Sequence, residues 1–468
     1  MNEDMLRRLP SIDEIVNSQE AERLTEKHDR DTVVDAARVV VDRIRSEIIQ
    51  GGGAAIDPES ISADGIAAAV ASHIQSKFSP SIRRAINAAG IILHTGLGRA
   101  MLAKSAVDAV HDAIDGYCTL AVDPEHGRRM SRDEHYADLL CELTGAEAAT
   151  VANNNAAATM LILNTLTKGK EVIISRGQLV EIGGSFRMPD VMETSGAIMR
   201  EVGTTNKTHL RDYANAINEN TGAILRVHMS NYRIVGFFEE PGIEELGSLA
   251  REHNLPIIDD LGSGALVDLS EFGLEKEPMV RDSIRAGVDV ACFSGDKLIG
   301  GPQSGIIVGK SDAIKAMKKN PLARALRIGK MEVAALEATL KLFLDSERLF
   351  ETHPTYRMLS MSVESIGARA KRAAKKLKDA GLDAEIAVID GASQVGSGSV
   401  PAQTLPSKLL SMRPSNMSAS ALAKKLRYSN PPIFARIQQD AVLFDFRTIQ
   451  PGEDGEVVRV VAGLLNRE

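Results

Sequence analysis

The sequence predicts an α/β protein: a large domain on a mostly parallel sheet, a smaller α+β C-terminal domain and a helical N-terminal domain. Three observations predict it. Between about Ile82 and Phe350, β-branched runs alternate with longer helical patterns, the arrangement of a sheet with helices on both faces. Polar clusters stand at the carboxyl ends of those runs, where ligands of open α/β sheets collect. The first 80 residues carry their apolar side chains at helical spacing.

The elements follow in chain order. Pro10-Ser11-Ile12-Asp13-Glu14 reads as a helix start, with Ser11 as the cap and Glu14 three residues on. TVVDAARVVVDRIRSEII then keeps helical spacing until Gly51-Gly52-Gly53. A shorter helix is expected from Ala63 to Phe78, completing an N-terminal domain over 1–80. Strands are expected at AATVAN, EVIISR, AIMREV, AILRVHM, PIIDDLG, VDVACFSG and SGIIVG, within a large domain over 81–350. A long helix is expected from about Lys330 to Asp345. Residues 351–468 mix helical stretches with AEIAVID, PIFARIQ and AVLFDFRTI and form the smaller domain.

The 468 residues, 44% hydrophobic and 25% charged, suit a globular chain with a large core. No apolar run reaches the roughly 20 residues a bilayer span needs. MNEDMLRRLPSIDEIV lacks the apolar centre of a signal peptide, so a cytoplasmic location and no membrane partner are expected. Cys118, Cys141 and Cys292 show no metal-ligand spacing; free thiols and no metal centre are expected. The net charge of −8 argues against a basic coat for nucleic acid but leaves room for a local patch. Arg369 to Lys378 holds six basic residues in ten, and a solvated helix face is favoured there over a nucleic-acid contact.

The segment richest in chemistry is Cys292-Phe-Ser-Gly-Asp-Lys-Leu-Ile-Gly-Gly-Pro-Gln-Ser-Gly. It sets Lys297 at a strand end, before a glycine-rich turn. A partly desolvated lysine loses its proton and forms an imine with an aldehyde cofactor. Taken alone, it could be a surface lysine in a turn; its partners make the case. PIIDDLGSG places Asp260 at another strand end, 37 positions earlier. A pyridoxal ring needs such a carboxylate at its pyridine nitrogen to act as an electron sink. Strand alternation puts only one of Asp259 and Asp260 in the site, and Asp260 is preferred. Ser294 can offer a hydroxyl to a phosphate. Asn153-Asn154-Asn155 opens an Ala-rich helix whose first amides suit a phosphate, making Asn154 and Asn155 cofactor candidates. Asn231, in Ser230-Asn231, is the candidate for the ring hydroxyl. Pyridoxal 5'-phosphate is the expected cofactor.

With these residues in place, FSGDKLIGGPQSGIIVGK, VEIGGSFRMPDVM, EVGTTNKTHLRDY, VHMSNYRIVGF and DDLGSGALVDL resemble the bacterial selenocysteine synthases (L-seryl-tRNA(Sec) selenium transferases). LRRLPSIDEIV, GSGSVPAQTLPS and FDFRTIQP fit as well, so the likeness spans nearly the whole chain. The resemblance implies an aspartate-aminotransferase-like (fold type I) architecture, active sites at a dimer interface and dimers assembled into a ring. It implies that Asp296 assists catalysis at Lys297, and that Arg99, Arg324 and Arg327 bind the phosphate of selenophosphate. Guanidinium forks suit such a dianion, and Arg324 and Arg327, three apart, would share a helix face. The implied reaction turns seryl-tRNA(Sec) into selenocysteinyl-tRNA(Sec) by β-elimination through an aminoacrylyl-tRNA intermediate, then selenium addition.

Three departures lie on the implied substrate side. Ala89 stands where the family has Thr in NATG, Gly96 where it has Asn in HTNLGR, and Glu125 to Arg132 reads EHGRRMSR against ERGERGSR. The N-terminal region, which the resemblance assigns to tRNA, holds eight Lys/Arg against fifteen Asp/Glu through residue 75, with Arg38 and Arg45 on one helix side. A related pyridoxal-phosphate lyase on a small amino acid or amino sugar would keep Lys297 and Asp260 but ignore tRNA. A non-catalytic tRNA-binding scaffold would need neither residue.

Overall fold

Side-chain caps start most of the N-terminal helices. Ser11 Oγ accepts from Glu14 N at 3.2 Å and the Glu14 carboxylate accepts from Ser11 N at 2.7 Å. Asp29 caps the helix Arg30–Ile49 and Ser62 caps Ala63–Phe78. Val33, Ala37, Val40, Ile66, Val70 and Ile74, at helical spacing, close a small core with Ile15. Exposed Arg38 and Arg45 each pair with an acid one turn earlier, Asp35 at 3.0 Å and Asp42 at 2.8 Å, so the basic stripe expected there is neutralised locally. The computed structural model describes residues 2–50, 58–184 and 186–466; the Gly51–Gly53 terminator lies outside them. The chain divides into two units, Met1–Arg84 and Ala85–Glu468.

The strands described in the second unit are β1 (Ile86–Ala88), β2 (Ala148–Ala152), β3 (Glu171–Ser175), β4 (Glu181–Ile182), β5 (Phe186–Arg187), β6 (Ile198–Val202), β7 (Thr221–Val227), β8 (Ile257–Gly262), β9 (Val290–Ser294), β10 (Gly305–Gly309), β11 (Ala384–Ser393), β12 (Leu405–Pro414), β13 (Ile433–Gln438) and β14 (Ala441–Asp445). The large sheet has the order β2-β10-β9-β8-β7-β3-β6. All its ladders are parallel except those of β10, antiparallel to both β2 and β9. The link from β9 to β10 is ten residues, Gly295 to Ser304, too short for the dozen or so that a parallel crossover needs. β10 therefore runs back, and the lysine turn is a tight reversal. Alternate residues feed two cores: Ile173, Ile224 and Ile257 one face, Val172, Ala223 and Ile258 the other. Every residue of β8 and β9 is buried, as sheets covered on both faces require.

The smaller sheet has the order β1-β13-β14-β12-β11, antiparallel except that β1 runs parallel to β13. Here the sequence expectation is corrected. Ile86–Ala88 falls in the span given to the large domain, yet it pairs with Ile433–Ala435. β12 was not foreseen, because Pro406 and Pro414 interrupt its pattern and proline normally disfavours interior strands. In the helix Val363–Asp379, Arg369 is buried against Asp454 and the carbonyls of Phe446 and Ile449, while Lys371, Arg372, Lys375, Lys376 and Lys378 are exposed.

Candidate active site

The β9–β10 reversal fixes Lys297. Gly295 N donates to Ser304 O and Gly301 N to Gly295 O, both at 2.8 Å, and Gly300 N reaches Lys297 O at 2.9 Å. Gly300 has φ +68, and a Cβ there would lie 2.1 Å from the His353 ring. His353, buried behind the turn, has Nε2 2.9 Å from Ile299 O. Lys297 is 8% exposed. Burial pushes its amine below the ordinary lysine value; Asp260 opposes that shift and Arg99 adds to it.

Asp260, two residues before the end of β8, lines the same cavity, of about 280 Å³, with Arg99, Asn154, Asn155, Ser230, Ser294 and Asp296. Its Oδ1 accepts from Asn155 Nδ2 at 2.8 Å and Gly262 N at 3.1 Å, and its Oδ2 accepts from Thr159 Oγ1 at 2.9 Å. Burial raises the Asp260 pKa while these donors lower it, with a net upward shift. Asp259 points the other way, accepting from Ser283 Oγ at 2.6 Å. Asp296 and Arg99 form an ion pair at 2.6 Å, beside Lys297 in the chain.

The remaining sequence candidates divide. Asn154 caps the helix Asn155–Leu166, its Oδ1 accepting from Ala157 N at 2.8 Å. Asn155 gives one of its two amide hydrogens to Asp260. Ser230 lines the cavity, whereas the Asn231 amide donates to Glu181 O at 2.9 Å. Arg324 and Arg327 line a second cavity, of about 370 Å³, with Arg129, Arg132 and Lys318; it shares no lining residue with the first. They do not share a helix face: the helix ends at Ala325, and Arg327 bridges to Ala152. The neighbouring Arg132, with burial, Arg324 and Arg129 adding to it, pulls the Arg327 pKa down, the signature of crowded positive charge. Two of these arginines, Arg129 and Arg132, come from the divergent segment 125–132.

Sequence reasoning missed three groups. Thr159, one turn into its helix, holds Asp260. His228 lines the cavity beside buried Glu277. The loop Gly396–Ala402 of the smaller sheet comes over the amine: a Cβ on Gly398 would lie 3.6 Å from Lys297 Nζ. His228, in VHMSNY, was visible as a polar residue at a strand end; Glu277 carried no local signal.

These residues fit pyridoxal phosphate. A desolvated amine and a buried carboxylate share the cavity, the first-turn amides of Asn155–Leu166 that the Asn154 cap does not use and the Ser294 hydroxyl suit a phosphate, and the buried Asn155 Oδ1 has no partner among the described residues. Among known proteins, the family model described as L-seryl-tRNA selenium transferase matches residues 85–450, and that described as selenocysteine synthase N terminal matches 6–45. The L-seryl-tRNA(Sec) selenium transferase of Alkaliphilus metalliredigens is 47% identical over 95% of this chain and 96% of its own. That of Nitratidesulfovibrio vulgaris is 46% identical over 98% and 99%. The structure of D-glucosaminate-6-phosphate ammonia-lyase superposes with a TM-score of 0.57 at 20% identity, over 84% of this chain and 98% of its own, a likeness of fold. The fold is the aminotransferase-like fold type I, the cofactor is pyridoxal phosphate, and the chain belongs to the L-seryl-tRNA selenium transferase family.

Proposed function

We propose that this chain converts L-seryl-tRNA(Sec) to L-selenocysteinyl-tRNA(Sec), with selenophosphate as the selenium donor and Lys297 as the residue that carries pyridoxal phosphate. The single observation that supports it best is the meeting of Lys297 and Asp260 in one buried cavity, in a chain of this family. The bound coenzyme supplies an electron sink for the pair left at Cα when its proton departs. Asp260 keeps the ring nitrogen protonated, and Asn155, Thr159 and Gly262 hold Asp260 in place. Lys297, its amine shifted toward the neutral form by burial, takes the Cα proton. Asp296 assists beside it, steadied by Arg99. Ser294 and the first turn of Asn155–Leu166 carry the phosphate, and Asn231 serves the ring hydroxyl after leaving Glu181.

Arg99, Arg324 and Arg327 hold the selenium donor. Since Arg324 and Arg327 open onto a different cavity from Lys297 within one chain, this assignment calls for a second copy whose arginine cavity faces the first copy's lysine. Such dimers assembled into a ring would leave the N-terminal unit for tRNA. Among the described residues no helix is long and apolar enough to cross a membrane, and a cytoplasmic site of action fits the reaction. The test is purified protein with seryl-tRNA(Sec) and selenophosphate, followed by assay for selenocysteinyl-tRNA(Sec). Lys297→Ala is expected to lose both the imine absorbance band and turnover; a Lys297→Ala protein with normal turnover overturns the proposal.

A further inference from the structure

Glu277 is 5% exposed and is held by donors from three parts of the fold. His228 Nε2 lies 3.1 Å from Oε2, Ser263 Oγ donates to the same oxygen at 3.1 Å, and Val400 N donates to Oε1 at 3.1 Å. Burial pushes this carboxyl up, but the hydrogen bond from His228, together with its charge, Ser263 and Val400, outweighs burial and leaves Glu277 below its ordinary value. An anion at Nε2 keeps a hydrogen on that nitrogen and turns Nδ1 to other work. His228 lines the Lys297 cavity, and Nδ1 has no partner among the described residues. Its backbone N–H donates to Asp260 O at 2.8 Å, which anchors it to the strand that bears the cofactor carboxylate.

We propose that His228 is a second acid–base group of this cavity and that Glu277 is the positioning residue that sets its tautomer. The inference rests on the β-replacement proposed above and supplies a proton that reaction needs. The electron pair left at Cα becomes the Cα–Cβ double bond as the Cβ–O bond breaks. The departing oxygen takes the bonding pair and accepts the Nδ1 proton of the His228 imidazolium, so water leaves instead of hydroxide. His228 remains neutral, with Nε2–H on Glu277, and recovers its proton from solvent. The charged groups sharing this environment are Glu277, Asp260, Asp296, Lys297 and Arg99. Asp296 is tied to a guanidinium, which suits an acceptor better than a donor.

The test varies the leaving group. Chloride departs without a proton, so β-chloroalanyl-tRNA(Sec) bypasses the acid. With seryl-tRNA(Sec) and selenophosphate, His228→Gln is expected to lower kcat about 100-fold or more, the usual worth of a positioned acid. With β-chloroalanyl-tRNA(Sec) the same variant is expected to stay close to wild type. Glu277→Gln separates positioning from packing. Its Oε1 still accepts from Val400 N, but its amide nitrogen now faces His228 and reverses the imidazole tautomer. It should share the substrate-dependent loss and shift the pH profile of kcat, while both variants keep the imine absorbance band. A carbon-13 spectrum of histidine-labelled apoprotein, assigned through His228→Gln, should show the Nε2–H tautomer of His228 in wild type and the Nδ1–H tautomer in Glu277→Gln. Equal losses on both substrates, or no loss on either, overturn this inference while leaving the β-replacement intact. Wild-type protein inert toward seryl-tRNA(Sec) overturns the parent proposal, and this one with it.

Discussion

Asp259 and Asp260 are chain neighbours on one strand, yet one accepts from Ser283 beneath the sheet and the other faces the lysine cavity. Period-two alternation made that choice legible in advance. The bonds of Asn155 to Asp260 and of Asn231 to Glu181 were not legible, because an amide at a strand end serves a phosphate, a ring or a carboxylate equally well. Asp260 also yields a prediction. Burial raises its pKa in the folded chain, so its ionised form costs stability above that raised value. Below the ordinary aspartate value of 3.8 the folded and unfolded chains are both protonated and the cost disappears. In Asp260→Asn the oxygen keeps Asn155 and Gly262, and the amide donates to Thr159 Oγ1. The apoprotein should then unfold at a higher temperature than wild type at pH 7, with the gain vanishing at acid pH. Turnover should fall about 100-fold or more, comparable to losing a preorganised electrostatic partner. Thermal melts across pH and an activity assay check both parts.

At the scale of elements, the β9–β10 reversal does two jobs. It turns β10 antiparallel and lifts Lys297 into the cavity on a loop braced by His353. Gly300 is the residue that brace depends on. Gly300→Ala should destabilise the protein by about 1–3 kcal/mol, since it forces a side chain into a left-handed conformation against a buried ring. The unfolding midpoint should drop and the imine band should weaken with it. An unchanged midpoint would mean the turn relaxes without cost. The seven strands of the large sheet were all visible as β-branched runs. β1 and β12 were not: a three-residue strand has no measurable period, and prolines mask the other.

For the whole molecule, the decisive arrangement is two cavities in one chain, one holding Lys297 and one holding Arg324 and Arg327. If a second copy brings them together, Lys297→Ala and an Arg324→Ala, Arg327→Ala double variant should each be inactive alone. Mixed after dissociation and reassembly, they should recover about a quarter of wild-type sites, since random pairing leaves half the dimers mixed with one intact site each. No recovery would place lysine and arginines in the same subunit's reaction. The division after Arg84 predicts that a chain starting at Ala85 keeps the imine band yet binds seryl-tRNA(Sec) at least about tenfold more weakly. Filter binding at fixed salt measures that, and unchanged affinity would remove the N-terminal unit from recognition.

The sequence by itself determined the alternation of strands and helices, the lysine after a strand end and the acid that shares its cavity. Each is written in local periodicity and in residue types whose chemistry is scarce. Tertiary structure alone decided that β1 joins the far end of the chain, that Glu277 meets His228 across 49 positions, and that Arg327 stands apart from Lys297. Those outcomes depend on which surfaces pack together, and packing is a property of the whole core that no short window of sequence contains.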